Sequence, residues 1–195
     1  MKSCYGIFKC VFYFLFRVYT RLEIFSKERV PEEGGVLVIA NHASYLDPGA
    51  VGVSLRRRAT FIARENLWEV PLLGRFVAAF AFPVKREGPM PSTVKEAVKR
   101  LRAGEVVVMF PQGTRTPEGS VNELKRGVSL IARLSGAAVV PVLLRGTERA
   151  LPLGGRFIRP AKITVRFGEP VKIKEGQKDE EFIAELISAF RRLAG

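Results

Sequence analysis

Three unbroken apolar runs constrain this chain more than any other feature: Val36-Leu37-Val38-Ile39-Ala40, Val106-Val107-Val108-Met109-Phe110 and the run from Val139 to Leu144. A strand with one wet face alternates polar and apolar residues. A run with no polar position must be covered on both faces, as happens in a parallel sheet layered between helices. The intervening segments read accordingly. Pro48 to Leu55 is predicted to be a short helix with Asp47 as its N-cap and Pro48 in its first turn. Thr60–Ala63 and Phe80–Val84 read as strands and Pro71–Ala79 as a helix. Thr93-Val94-Lys95-Glu96 has the form of a capping box opening a helix to Arg102, which Gly104 closes. Lys125–Ser135 is a helix ended by Gly136, and Lys162–Phe167 alternates like an edge or half-exposed strand. Asp179–Leu193 is a terminal helix, with Asp179, Glu180 and Glu181 at its start and Arg191 and Arg192 at its end, as the macrodipole favours. With 195 residues and no repeat, linker or low-complexity tract, the expectation is a single α/β domain with a mostly parallel central sheet flanked by helices.

The first 30 residues stand apart. The apolar run Val11–Phe16 is bounded by Lys9 and Arg17 and is far shorter than the roughly 20 residues of a membrane span. No small-residue cleavage site follows it, as a signal peptide requires. Ile7, Val11, Phe14, Leu15, Val18, Leu22 and Phe25 recur at helical spacing, with Lys2, Lys9, Tyr13, Arg17, Thr20 and Lys27 on the other side. Such a helix either lies in the headgroup region of a bilayer or docks on its own domain. The first is the expectation: residues 1–30 as an amphipathic N-terminal membrane-contact helix, and residues 31–195 as the remaining domain.

Charge agrees with an anionic partner. Lys and Arg number 32 against 19 Asp and Glu, a net charge of +13, which suits nucleic acid, an acidic membrane surface or phosphorylated substrates. No helix-turn-helix, zinc-finger or RNA-recognition signature accompanies it, so no nucleic acid is expected. Two cysteines, Cys4 and Cys10, exclude a disulfide scaffold, and together with a single histidine they argue against a structural zinc site. Arg56-Arg57-Arg58 reads most simply as a solvated turn.

Ligands of open α/β sheets bind beyond the carboxyl ends of the strands. Polar clusters stand at three such ends. The first is Asn41-His42-Ala43-Ser44-Tyr45-Leu46-Asp47-Pro48. On a continuous helix, residues five apart diverge by about 140°, so His42 and Asp47 meet only if a loop turns into the helix and brings the carboxylate back. That pairing fixes the imidazole tautomer and leaves the other ring nitrogen as a base. The second cluster is Phe110-Pro111-Gln112-Gly113-Thr114-Arg115, in which glycine permits close backbone approach and Arg115 offers a planar fork for phosphate. The third, Phe82-Pro83-Val84-Lys85-Arg86, adds two cations.

These blocks resemble those of the glycerolipid acyltransferases, of the 1-acylglycerol-3-phosphate acyltransferase type. Asn41-His42, four residues and then Asp47 resembles the family's HX4D block. Phe110–Arg115 is similar to its FPEGTR block, Arg86 fits an intervening arginine block, and Val139-Val140-Pro141-Val142 fits the last one. The likeness runs from about Gly35 to Pro170.

The resemblance implies that His42 deprotonates the free hydroxyl of a lysophosphatidate, which attacks the thioester carbonyl of acyl-CoA or acyl-carrier protein. Asp47 orients His42. Arg115 and Arg86 hold the acceptor phosphate, Gly113 and Thr114 shape that pocket, and Gln112 belongs to the same substrate-binding set. Neither metal nor bound cofactor is implied, and the setting is the cytoplasmic side of a membrane, peripheral or monotopic. One position departs: the family usually has Glu where this chain has Gln112. That keeps open another lysophospholipid or glycerol 3-phosphate as acceptor, while a non-catalytic basic membrane-surface protein is the alternative of a different class.

Overall fold

The computed structural model describes residues 13–14, 16–64, 81–84, 92–112, 121, 123–155 and 157–195. In chain order its elements are β1 (Glu23–Phe25), a 3-10 turn (Lys27–Arg29), β2 (Val36–Ala40), α1 (Asp47–Ser54), β3 (Ala59–Arg64), β4 (Ala81–Val84), α2 (Ser92–Arg102), β5 (Val106–Met109), α3 (Gly127–Ser135), β6 (Ala138–Arg145), α4 (Thr147–Ala150), β7 (Thr164–Phe167) and α5 (Asp179–Ala194).

The strands form one seven-stranded sheet in the order β1-β7-β6-β2-β5-β3-β4. Every neighbouring pair is parallel except β6 and β7. This is the single α/β domain with a mostly parallel sheet that the apolar runs predict. Their lack of polar positions has its reason in the two cores. Along β2, Val36, Val38 and Ala40 enter one core with Ala50, Val51 and Val53 of α1. Leu37 and Ile39 enter the other, with Val98 of α2, Ile131 of α3 and Leu186 of α5. Because successive strand residues point to opposite faces, both parities must be apolar, and all five β2 residues are buried. Gly35, just before β2, is required by close approach: a Cβ there would lie 2.1 Å from the Leu101 carbonyl oxygen at the end of α2.

Four expectations are corrected. The N-terminal helix does not extend to residue 30. Among the described residues of that segment, 13–14 and 16–19 are helical and Glu23–Phe25 is strand β1. The chain turns at Arg21, whose φ is 46°, and β1 then satisfies its backbone against the edge of β7. β7 is consequently not an edge strand, although its alternating burial matches the half-exposed reading. The capping box at Thr93 does not form: α2 begins at Ser92, and Glu96 pairs with Arg100 at 2.8 Å instead. The Arg56–Arg58 turn is tied down rather than merely solvated, with Arg57 donating to the Pro31 carbonyl at 2.9 Å and to that of Gly104. The expected helix Pro71–Ala79 lies outside the described residues.

The described N-terminal helical residues dock through Phe16, which is not in the stripe that the spacing marks. Phe16 is buried and approaches Gly49 of α1, and Thr20 is buried with its hydroxyl donating to the Phe16 carbonyl at 2.6 Å. Phe14 and Val18, from the apolar stripe, are 65% and 63% exposed. Leu22, from the same stripe but beyond the helical residues, is buried in the core, so the described part of the stripe is divided between core and surface. No helix among the described residues is long and apolar enough to cross a membrane.

Candidate active site

Parallel pairing decides which strand ends meet. β2 lies beside β5 with Ile39 opposite Met109. His42 and Gln112 each come three residues after that pair, at the same level beyond the sheet. The His42 backbone N–H donates to Gln112 Oε1 at 2.9 Å. The His42 ring stacks on Phe110, with centroids 4.3 Å apart and planes inclined by 25°.

Asp47 lies at the other side of the loop. The sequence makes it the N-cap of α1. In the structure Leu46 takes the N-cap place and Asp47 is the first residue of that helix. The carboxylate turns back into the loop instead. Asp47 Oδ2 accepts from the backbone N–H groups of Ala43 at 2.7 Å and Ser44 at 2.8 Å, and from His42 Nδ1 at 2.8 Å. This is the return path that a five-residue separation demands, because the loop's own amides draw the carboxylate inward. The Asp47 side chain is fully buried, whereas His42 is 19% exposed. A buried carboxylate is tolerated when several donors converge on it.

The pairing fixes the chemistry of the ring. A carboxylate only accepts, so Nδ1 carries the proton and donates to Asp47 Oδ2. The lone pair then sits on Nε2. With its backbone held by Gln112, one face on Phe110 and Nδ1 on Asp47, the ring is held from three directions. It can take a proton through Nε2 while Asp47 stabilises the resulting imidazolium.

Two polar neighbours are engaged elsewhere. Asn41 is buried, and its amide bonds the backbone of Leu144 reciprocally: Nδ2 donates to the Leu144 carbonyl at 2.9 Å, and Oδ1 accepts the Leu144 N–H at 2.7 Å. It thereby extends the β2–β6 pairing by one side chain and anchors the start of the loop that carries His42. The Ser44 hydroxyl donates to the Leu151 carbonyl at 2.8 Å and accepts the Leu46 N–H at 3.2 Å. Those bonds occupy it in holding the loop.

Of the residues the sequence singles out, the structure therefore brings together His42, Asp47 and Gln112. Arg86, Gly113, Thr114 and Arg115 lie outside the described residues. Phe110 gains a role that sequence reasoning did not assign. Its signal was present, since it directly follows the β5 run at the same strand end. Among the described residues, no group of three His, Cys, Asp or Glu side chains converges as a metal site.

Comparison with known proteins follows this geometry. Residues 21–145 match the family model described as Acyltransferase. The chain belongs to that acyltransferase family. It is 33% identical over 152 residues to a 1-acyl-sn-glycerol-3-phosphate acyltransferase of Bacillus subtilis (strain 168), covering 77% of this chain and 73% of that protein. It is 30% identical over 142 residues to the chloroplastic 1-acyl-sn-glycerol-3-phosphate acyltransferase LPAT1 of Arabidopsis thaliana, covering 71% of this chain and 40% of that protein. Among solved structures it superposes on the 1-acyl-sn-glycerophosphate acyltransferase PlsC of Thermotoga maritima with a TM-score of 0.77 and 26% identity. That match covers 98% of this acyltransferase and 77% of PlsC. The chain is thus an acyl-transferring enzyme, with the His42–Asp47 loop inside the matched segment.

Proposed function

We propose that this acyltransferase moves a fatty acyl group from a thioester, acyl-CoA or acyl-carrier protein, to the sn-2 hydroxyl of 1-acylglycerol 3-phosphate and so makes phosphatidate. The names of its relatives support the acceptor. The observation that carries the mechanism is the bond of 2.8 Å between His42 Nδ1 and the buried carboxylate of Asp47.

His42 Nε2 takes the proton of the acceptor hydroxyl as its oxygen attacks the thioester carbonyl carbon. The new C–O bond forms, and charge collects on the carbonyl oxygen. Collapse of this tetrahedral species breaks the C–S bond, and the imidazolium returns its proton to the leaving thiolate. Asp47 holds the ring in the tautomer that leaves Nε2 able to accept. Arg86 and Arg115 serve as ligands of the acceptor phosphate, with Gly113 and Thr114 shaping their pocket. The enzyme works as a peripheral or monotopic protein on the cytoplasmic side of a membrane, with the exposed stripe of its N-terminal helix against an anionic lipid surface.

Gln112 bears on the acceptor question. Its side-chain oxygen serves the His42 backbone, a duty that amide and carboxylate oxygens can both perform. Gln in place of Glu thus supplies no argument for a different acceptor.

The test is incubation of the purified chain with lysophosphatidate and a panel of acyl thioesters, followed by mass analysis of the lipids. Phosphatidate carrying the donor's acyl chain is the expected product. Release of free fatty acid alone, or acylation of glycerol 3-phosphate in preference, contradicts the proposal.

A further inference from the structure

The largest exposed apolar side chain of the described residues is not on the N-terminal helix. Phe157 is 82% exposed, and Leu153 and Ile158 on the same connection between α4 and β7 are each 45% exposed. A connection carrying three such residues is costly in water unless something covers it. The connection adjoins the exposed stripe of the helix, because the Tyr19 hydroxyl donates to the Ile158 carbonyl at 3.0 Å. Just beyond, the Ile163 N–H donates to the Thr20 carbonyl at 3.0 Å. Phe14 and Val18 on one element, and Leu153, Phe157 and Ile158 on the other, thus stand on two segments joined at their bases.

The charges around these residues are mostly of one sign. Residues 13–22 contain Arg17 and Arg21, and residues 149–162 contain Arg149, Arg156, Arg159 and Lys162. The flanking acids Glu148 and Glu23 pair with Arg149 at 3.6 Å and with Lys162 at 2.8 Å, which leaves cations in excess. Aromatic and aliphatic side chains among excess cations match the boundary of an anionic bilayer, where rings sit at headgroup depth and cations meet lipid phosphates. The same composition disfavours a second copy of this chain as the cover, since a twofold contact would set cations against cations.

The connection also touches the catalytic loop. Ala150 and Leu151 at its start accept from Arg159 N–H at 2.7 Å and from the Ser44 hydroxyl at 2.8 Å. One hydrogen bond therefore separates the exposed segment from the loop that carries His42.

We infer that residues 151–159 form a second membrane contact, which seats on an anionic lipid surface beside the N-terminal helix and brings the His42 loop to that surface. This rests on the reading of the chain as an enzyme of lipid substrates. It adds a contact that the amphipathic spacing of the N-terminus does not reveal.

The experiment is flotation of the full chain with vesicles of phosphatidylcholine, with and without phosphatidylglycerol. It compares the parent with Phe157→Asp and with Leu130→Asp, a change at an exposed apolar residue of α3. The parent is expected to float with the anionic vesicles, Leu130→Asp to match it, and Phe157→Asp to bind about tenfold more weakly or worse, as loss of one buried aromatic ring implies. Turnover of a short-chain lysophosphatidate below its micellar concentration is measured alongside. Phe157→Asp should keep that turnover within about twofold, since its side chain is 82% exposed. Parent-like flotation of Phe157→Asp overturns the inference. So does an oligomer that Phe157→Asp dissociates while vesicle binding is unchanged, because the patch then joins two copies. A parent that floats through Phe157 yet turns over no soluble acceptor upholds the contact and refutes the lipid acyl-transfer reading instead.

Discussion

Gln112 supports His42 through the backbone: its Oε1 accepts the His42 N–H at 2.9 Å. The bond joins the ends of β2 and β5, so His42 sits where two parallel strands fix it rather than where a free loop leaves it. Gln112→Leu removes the acceptor. The expected result is a kcat lower by roughly tenfold, as loss of positioning produces, with the acceptor KM within about twofold. Gln112→Glu should restore most of the rate, because a carboxylate oxygen accepts the same N–H. Steady-state kinetics of the two variants check this. A raised acceptor KM at unchanged kcat would place Gln112 on the substrate instead.

Asp47 does two jobs with one oxygen, accepting two loop amides and the imidazole. Asp47→Ala leaves all three donors without that acceptor and is expected to lower stability by about 2–4 kcal/mol. Asp47→Asn keeps a carbonyl oxygen for the amides and should cost about 1 kcal/mol. Both should lose at least about a thousandfold in kcat, since neither presents a carboxylate to Nδ1. Urea unfolding and turnover, measured on the same preparations, separate the structural job from the chemical one.

Far from the site, Arg133 donates to Asp179 at 2.6 Å. This hydrogen bond, reinforced by the charges of Arg133 and Arg126, holds the Asp179 carboxyl below the usual carboxylate range despite opposing desolvation. A depressed folded-state value stabilises the fold above the unfolded value and is lost as pH falls through the folded one. The midpoint of urea unfolding should therefore fall less in Arg133→Ala than in the parent between neutral pH and about pH 3. The pair is well exposed, so the difference should be small. Equal acid sensitivity of the two proteins would count against it.

The central strands could be read before any coordinates because burial on both faces removes every polar position. β2 appears in the structure with the bounds that its run predicts, and β5 ends one residue short of its run, at Met109. β1 could not be read that way. Its residues Glu23–Phe25 continue a helical apolar spacing, and only the open edge of β7, 141 residues later, makes them a strand. The His42–Asp47 pairing was visible as a possibility, because a loop entering a helix can fold a carboxylate back. Its means, capture by the Ala43 and Ser44 amides, depends on backbone directions that side-chain identities do not encode. Gln112 was legible as a member of the site but not in its duty, which follows from the pairing of Ile39 with Met109. The exposed connection at Phe157 left no periodic trace, since exposure there is decided by how the chain leaves α4 and returns to β7.

The proposed acyl transfer depends on His42 acting as the base. The most direct measurement is phosphatidate formation from lysophosphatidate and an acyl thioester by the parent and by His42→Ala, with urea unfolding of both. The expected result is loss of at least about a thousandfold in turnover, in keeping with removal of a positioned general base, from a protein that unfolds at a similar urea concentration. Turnover by a folded His42→Ala at a rate near that of the parent would contradict the mechanism.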